Sequence, residues 1–179
     1  MSELRVGYGF DVHRFIEGNG FVLGGVMIEF PRGLEGHADA DVLVHVIVDA
    51  ILGAACMGDI GENFPPSDPK YADISSRSLL ELTKIKLGNA GYEIDNIDAT
   101  IICEEPQLDE YKLLMAEIIA AELDIGTHQV SVKATRTDGL GCTGEKKGIA
   151  AAAVVLLSET YVEEEEKGDA DLEDEFEDE

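Results

Sequence analysis

The sequence predicts an α+β domain, a mixed β-sheet with helices packed on one face. Three observations carry this reading. Segments of strand character, short and β-branched or alternating, are spread along the whole chain. Between them lie two stretches whose apolar residues recur at helical spacing, 75–91 and 108–124. No internal repeat is visible. At 179 residues, 45% of them hydrophobic and 28% charged, the chain suffices for one ordinary domain with a real core and a short extension.

The elements follow in order. Residues 4–14, "LRVGYGFDVHR", read as a first strand. "GFVLGGVMIEF" (20–30) reads as a hairpin with Gly24-Gly25 at its turn. "DADVLVHVIVDAILGAACMG" (39–58) is apolar almost throughout and stops at Gly58. Its β-branched residues allow a strand, but its length favours a buried helix, with Asp39 as N-cap. "GDIGENFPPSDPKY" (58–71) is turn chemistry, rich in glycine and proline. "SSRSLLELTKIKLGNAG" (75–91) is an amphipathic helix with a serine cap and a glycine stop. "YEIDNIDATIICEE" (92–105) is a strand and "LDEYKLLMAEIIAAELD" (108–124) a second amphipathic helix. "HQVSVKAT" (128–135) alternates as a strand does, and "GIAAAAVVLLSE" (148–159) fits a last core strand. Helices on one face would leave the other to be covered, most simply by another subunit.

The charge excludes some partners. The net charge is −25, and the segment 162–179, "VEEEEKGDADLEDEFEDE", contributes −11 of it. So acidic a chain is a poor match for nucleic acid or an anionic membrane. An anionic ligand would need local cations or metals to overcome the general field. The division expected is a domain over 1–161 and an acidic, disordered tail over 162–179, which has too few apolar residues to fold. The N-terminus lacks a basic region followed by an apolar run, and no stretch reaches membrane-spanning length. Three cysteines, Cys56, Cys103 and Cys142, have no CxxC spacing and suit a reducing compartment. A cytoplasmic protein is expected, or one of the plastid stroma if a transit peptide has been removed.

Three polar clusters interrupt the apolar pattern. In "GYGFDVHRF" (7–15), Asp11 and His13 sit two apart on a strand and project to one face. They suit a hydrogen-bonded pair, or two corners of a metal site awaiting a third ligand. In "HADADVLVHVIVDA" (37–50), a helix puts Asp41, His45 and Asp49 on one stripe. A histidine in an apolar helix is more often a hydrogen-bonded core residue than a ligand. Three ionisable groups in one buried helix, however, need partners. Asp11, His13 and His45 would form an Asp/His/His set with one position open, the catalytic type of zinc site, with Asp49 orienting His45. In "KATRTDGLGCTG" (133–144), hydroxyls, backbone amides and Arg136 suit phosphate, and Asp138 could hold magnesium. The loop does not match the P-loop pattern, since no Gly-Lys-Ser/Thr follows.

Taken together, "GYGFDVHRF", "GHADADVLVHVIVDAILGAACMGDIGENFPPSDP", "DATIICEEPQL" and "KATRTDGLGCTGEKKGIAAAAVVLL" resemble the 2-C-methyl-D-erythritol 2,4-cyclodiphosphate synthase family of the non-mevalonate isoprenoid pathway. The resemblance covers residues 4–158. It implies a homotrimer built around the sheets, like that of chorismate mutase, with active sites between subunits. It implies one zinc per subunit on Asp11, His13 and His45, and magnesium or manganese on Asp138. His37 and Ala38 would stand beside the phosphates. Asp59, Ile60 and Gly61 would hold the sugar-like portion, with Phe64 and Asp68 lining the pocket. Cys103, Pro106, Gln107, Leu108 and Asp109 would enclose the cytosine. Thr135, Arg136, Thr137 and Asp138 would bind the cytidine diphosphate. Catalysis would rest on His37, Thr135, Arg136 and Asp138. The implied reaction closes a cyclic diphosphate and releases CMP.

The chain departs from the family pattern at several places. Ala38 replaces a serine, Gln107 a lysine, Arg136 a threonine and Asp138 a glutamate. Cys142 and Glu145 replace a phenylalanine and an arginine of the glycine loop. A zinc-bound, catalytically inactive nucleotide-binding paralogue is the alternative these departures leave open. A hydrolase using water as nucleophile is a more distant one.

Overall fold

A computed structural model describes residues 3–36 and 38–160. His37 and the acidic segment 162–179 lie outside the described residues. Strand β1 (Leu4–Glu17) is followed by the hairpin β2 (Phe21–Leu23) and β3 (Val26–Ile28), then by β4 (Arg32–Leu34). Helix α1 (Val42–Ala54), the single turn α2 (Ile60–Asn63) and helix α3 (Ser76–Asn89) come next. Then come β5 (Tyr92–Ile102), α4 (Lys112–Leu123), a 3-10 turn (Thr127–Gln129), β6 (Val130–Thr135), the turn α5 (Gly141–Gly144) and β7 (Gly148–Glu159).

The main sheet has the order β4-β1-β7-β5-β6. It is mixed: β1 runs antiparallel to β4 and β7, β5 antiparallel to β7, and β5 parallel to β6. The parallel pair needs a crossover, and α4 supplies it. The first and last strands pair along almost their whole length, from Leu4 opposite Ser158 to Arg14 opposite Gly148. In the hairpin, Gly24 and Gly25 both take positive φ, +58° and +74°. That is the turn geometry two glycines permit.

Helices α1, α3 and α4 cover one face of the sheet. Helix α1 buries Val42–Val44, Val46–Val48, Ala50–Leu52 and Ala54, as a helix that is apolar all round must. It lies on β1 and β7, with α3 against its outer side. The contact with β1 is backbone to backbone. A Cβ at Gly7 would stand 1.8 Å from the Ala50 carbonyl oxygen, and one at Gly9 would stand 2.1 Å from that of Val46. Only glycine lets the helix settle so low. The opposite face of β1 carries Leu4, Val6, Tyr8, Phe10 and Val12, all exposed, with Val154 of β7 beside them.

Several expectations need adjusting. Strand β1 runs three residues beyond Arg14 because β4 pairs with its end, Phe15 opposite Leu34. The three-residue "RGL" of β4 has no alternation by which to be read. Helix α4 begins at Lys112, because Leu108–Tyr111 form a turn closed by Tyr111 N–H donating to the Leu108 carbonyl (3.0 Å). The N-cap of α1 is Asp41, not Asp39. Asp39 instead accepts from the amide and hydroxyl of Ser76 (2.9 and 2.6 Å) at the start of α3. Among the described residues no helix is long and apolar enough to cross a membrane.

Candidate active site

Period 2 along β1 puts Gly7, Gly9, Asp11 and His13 on the face that α1 covers. The two glycines bring α1 down, and the helix then delivers His45 beside Asp11 and His13. Asp11 Oδ1 accepts from the Val12 amide (2.7 Å), which orients the carboxylate. Asp11 Oδ2 lies 2.8 Å from His13 Nε2 and 3.4 Å from His45 Nδ1. The two imidazole centroids are 5.1 Å apart and meet edge to face. The three donor atoms all lie within 4.8 Å of one another. Among the described residues no other trio of His, Cys or carboxylate side chains is gathered in this way.

The protonation of this trio follows from its pairing. Half-burial of Asp11 disfavours its anion, but hydrogen bonds from His13 and His45 outweigh that and hold its carboxyl far below the usual carboxylate range. Burial likewise disfavours a charged His13, but the hydrogen bond and charge of Asp11 win and raise its pKa above 6.5. His13 Nδ1 is buried and has no hydrogen-bond partner among the described residues. A carboxylate oxygen and two imidazole nitrogens of neutral rings, converging on one point, are the donor set of a three-ligand zinc site. The residues fit the ion.

The stripe on α1 resolves into three separate jobs. Asp41 is fully buried and accepts from Gly24 N–H, Gly25 N–H and Val44 N–H (2.9, 2.8 and 3.1 Å), tying the hairpin turn to the start of α1. Asp49 does not reach His45; it accepts from the Ile60 amide at 2.7 Å. Only His45 joins the trio. Asp59, expected at the sugar-like portion, is the N-cap of α2 and accepts from Glu62 N–H (2.8 Å). Through Asp49 the start of α2 is moored to α1.

A cavity of about 230 Å³ opens beside His45, with Ala38, Ile60, Gly61 and Phe64 in its wall. Pro66, Tyr71, Ile74 and Leu79 complete that wall, and sequence reasoning does not find them. Leu79 lies on the apolar stripe of α3; Tyr71 and Ile74 lie in a loop with no pattern to betray them. Asp68 is not in this wall. It shapes the loop, accepting from Lys70 N–H (2.9 Å).

A second, smaller cavity of about 100 Å³ lies at the ends of β5 and β6. Cys103, Pro106, Gln107, Leu108, Asp109, Thr135 and Arg136 line it together with Ala134. The Cys103 thiol is buried and pushed up to about 11, chiefly by desolvation, so it is a neutral wall residue. Arg136 is exposed and engages no carboxylate among the described ion pairs. Thr137 and Asp138 stand just outside. The Thr137 hydroxyl meets that of Thr143 (3.0 Å), and Asp138 is exposed with φ +51°. Among the described residues no side chain lines both cavities.

Fold and site together define an α+β protein with a trio able to hold a metal ion on a strand and a buried helix, a small cavity beside His45, and a second small cavity at the ends of β5 and β6. The chain belongs to the YgbB family, whose model matches residues 4–158. Similar curated proteins named 2-C-methyl-D-erythritol 2,4-cyclodiphosphate synthase occur in Desulfatibacillum aliphaticivorans, 53% identical over 86% of this chain and 99% of that protein, and in Moorella thermoacetica, 54% identical over 86% and 94%. Among solved structures, the bifunctional IspDF of Campylobacter jejuni matches with a TM-score of 0.85 and 42% identity, over 89% of this chain and 43% of that longer one. A CDP complex of IspF from Plasmodium falciparum matches with a TM-score of 0.77 and 32% identity, over 88% and 97%.

Proposed function

We infer that the chain is a cyclodiphosphate synthase, a phosphorus–oxygen lyase of isoprenoid precursor biosynthesis. It converts 4-diphosphocytidyl-2-C-methyl-D-erythritol 2-phosphate to 2-C-methyl-D-erythritol 2,4-cyclodiphosphate and releases CMP. One observation carries this most: relatives of that name share about half their residues with the chain over nearly their full length.

In this reading an oxygen of the 2-phosphate attacks the β-phosphorus. The bond from that phosphorus to the bridging oxygen breaks, and CMP leaves with the oxygen. The nucleophile is already an anion, so no residue need act as base. The obstacles are phosphate repulsion and alignment. Bound divalent cations supply charge neutralisation and in-line geometry for such a transfer. Asp11 Oδ2, His13 Nε2 and His45 Nδ1 would hold zinc. Asp138, an exposed carboxylate with no side-chain partner among the described residues, suits the protein's share of a magnesium or manganese site, where substrate phosphates supply other ligands. Pro106–Asp109 and Thr135–Thr137 would hold the cytidine diphosphate, with Arg136 as its cation. The wall of Ile60, Gly61 and Phe64 would take the methylerythritol portion.

A homotrimer with active sites between subunits belongs to the same proposal. Two features support it: the exposed apolar face of β1, and the absence, among the described residues of one chain, of a side chain common to both cavities. Incubation with the cytidylylated substrate, zinc and magnesium, followed by mass spectrometry, tests the activity. Cyclic diphosphate plus CMP is expected. No turnover would favour the inactive paralogue, and linear products would favour hydrolysis.

A further inference from the structure

Two adjacent acids, Glu104 and Glu105, lie in the loop between Cys103 and Pro106 and point to different ends of the glycine-rich segment that follows β6. Glu104 Oε1 accepts from the amides of Thr137 (3.1 Å) and Gly139 (3.2 Å). These amides flank Asp138, whose backbone is left-handed at φ +51°. Aspartate is one of the few residues besides glycine that tolerate this conformation, and the two amides on either side of it are held by one carboxylate. Glu105 works at the far end. Its carboxylate meets the Arg32 guanidinium and, through Oε2, Lys146 Nζ at 2.9 Å. Arg32 also donates to the Lys146 carbonyl (2.7 Å), and its guanidinium stacks 4.5 Å from the Phe15 ring centre. The glycine segment is thus held near its start and near its end by neighbouring residues of one loop.

We propose that Glu104 and Glu105 are positioning residues for nucleotide binding, clasping the loop that carries Pro106–Asp109 to the segment that carries Arg136–Asp138. The proposal rests on the synthase reading above, because it takes the small cavity as the cytidine site. Neither glutamate lines that cavity; both act through the residues beside it. One carboxylate oxygen receiving two amides fixes the turn at Asp138, and the Arg32–Glu105–Lys146 bridge fixes how far the two loops stand apart. The ligand addressed is the cytidine diphosphate moiety.

Calorimetric titration with CDP, in the presence of zinc and magnesium, tests this alongside steady-state kinetics and zinc analysis. Wild type, Glu104→Ala, Glu104→Gln and Glu105→Gln are compared. Glu104→Ala loses a charge-assisted pair of hydrogen bonds, so its CDP affinity should fall roughly tenfold. KM should rise in step, with zinc content unchanged. Glu104→Gln keeps an acceptor oxygen for both amides and should restore most of the affinity. Glu105→Gln, at a more exposed bridge, should weaken CDP severalfold and shows the effect even if Glu104→Ala does not fold. Wild-type CDP affinity in Glu104→Ala or in Glu105→Gln overturns the proposal, and so does a Glu104→Gln variant as impaired as Glu104→Ala. A wild-type protein that binds no CDP overturns the synthase reading along with it.

Discussion

Gly9 and Val46 meet without a side chain between them: a Cβ at Gly9 would stand 2.1 Å from the Val46 carbonyl oxygen. His45 is the neighbour of Val46, so the depth of this contact sets the distance from His45 to Asp11. Gly9→Ala must lift α1 or bend β1. Overpacking of this kind costs about 1–3 kcal/mol or more where backbone must move. The variant should unfold at lower urea concentration and bind zinc more weakly. Wild-type zinc affinity in a folded Gly9→Ala protein would show that the close approach does not position the trio.

His45→Ala removes one of three donors converging within 4.8 Å. Zinc bound per chain should drop from about one to a small fraction after dialysis. Asp138→Asn, which lies outside the trio, should depress turnover while leaving zinc bound. Equal loss of zinc in both variants would place Asp138 in the zinc site or in folding.

Zinc retention should depend on pH through His13. Its pKa is raised above 6.5 by Asp11, and a histidine must lose its proton to ligate. Apparent affinity should therefore fall about tenfold per pH unit below that raised value. Metal-competition titrations from pH 5 to 8 check the slope. In the metal-free protein the sign is opposite. The protonated pair with Asp11 contributes stability that is complete below the unfolded value and is lost as pH rises through the folded one. A flat zinc affinity across the range would contradict the pairing.

Asp41→Ala strands the buried amides of Gly24 and Val44 and the partly buried amide of Gly25. At about 1–3 kcal/mol for each buried donor left unmade, several kcal/mol of stability should go, enough to threaten a domain of ordinary stability. Asp41→Asn keeps an oxygen for Gly24 and Val44, which share Oδ1, and should lose only part. Chemical denaturation of the two variants ranks them, and equal losses would mean that the hydrogen bonds are not the cause.

Tyr8 and Phe10 are more than half exposed on the bare side of β1. If the proposed homotrimer forms through that side, Phe10→Asp should leave a monomer in light scattering. It should also abolish turnover, while leaving far-ultraviolet circular dichroism near that of wild type. A Phe10→Asp protein that stays trimeric would move the interface elsewhere.

Much of this was legible in the sequence, for physical reasons. Period 2 placed Asp11 and His13 on one face of β1, and the length of the apolar run made α1 a buried helix. Their combination brought His45 to the pair. What could not be read depended on partners distant in sequence. Asp49 lies on the same helical stripe as His45, but periodicity does not say that the Ile60 amide takes its carboxylate. Asp39 and Asp41 are equally good caps by type; only the amides of Gly24 and Gly25 select Asp41. The pairing of Phe15 with Leu34 that lengthens β1 leaves no local signal. Glu104 and Glu105 look like loop acids until Thr137, Gly139, Arg32 and Lys146 are brought against them.

The pairing of Leu4 with Ser158 bears on how the molecule is made. Strand β1 is made before the other described elements, yet its longest partner, β7, is made after them all. Until then the strand has only the short β4 beside it, and one edge lies open next to a very apolar helix. Closing a loop of such length is slow compared with forming local helices. Nascent chains that stop short of β7 therefore carry an unpaired strand and uncovered apolar surface, the features that invite aggregation. The fold becomes safe only when β7, the last strand described, slots between β1 and β5.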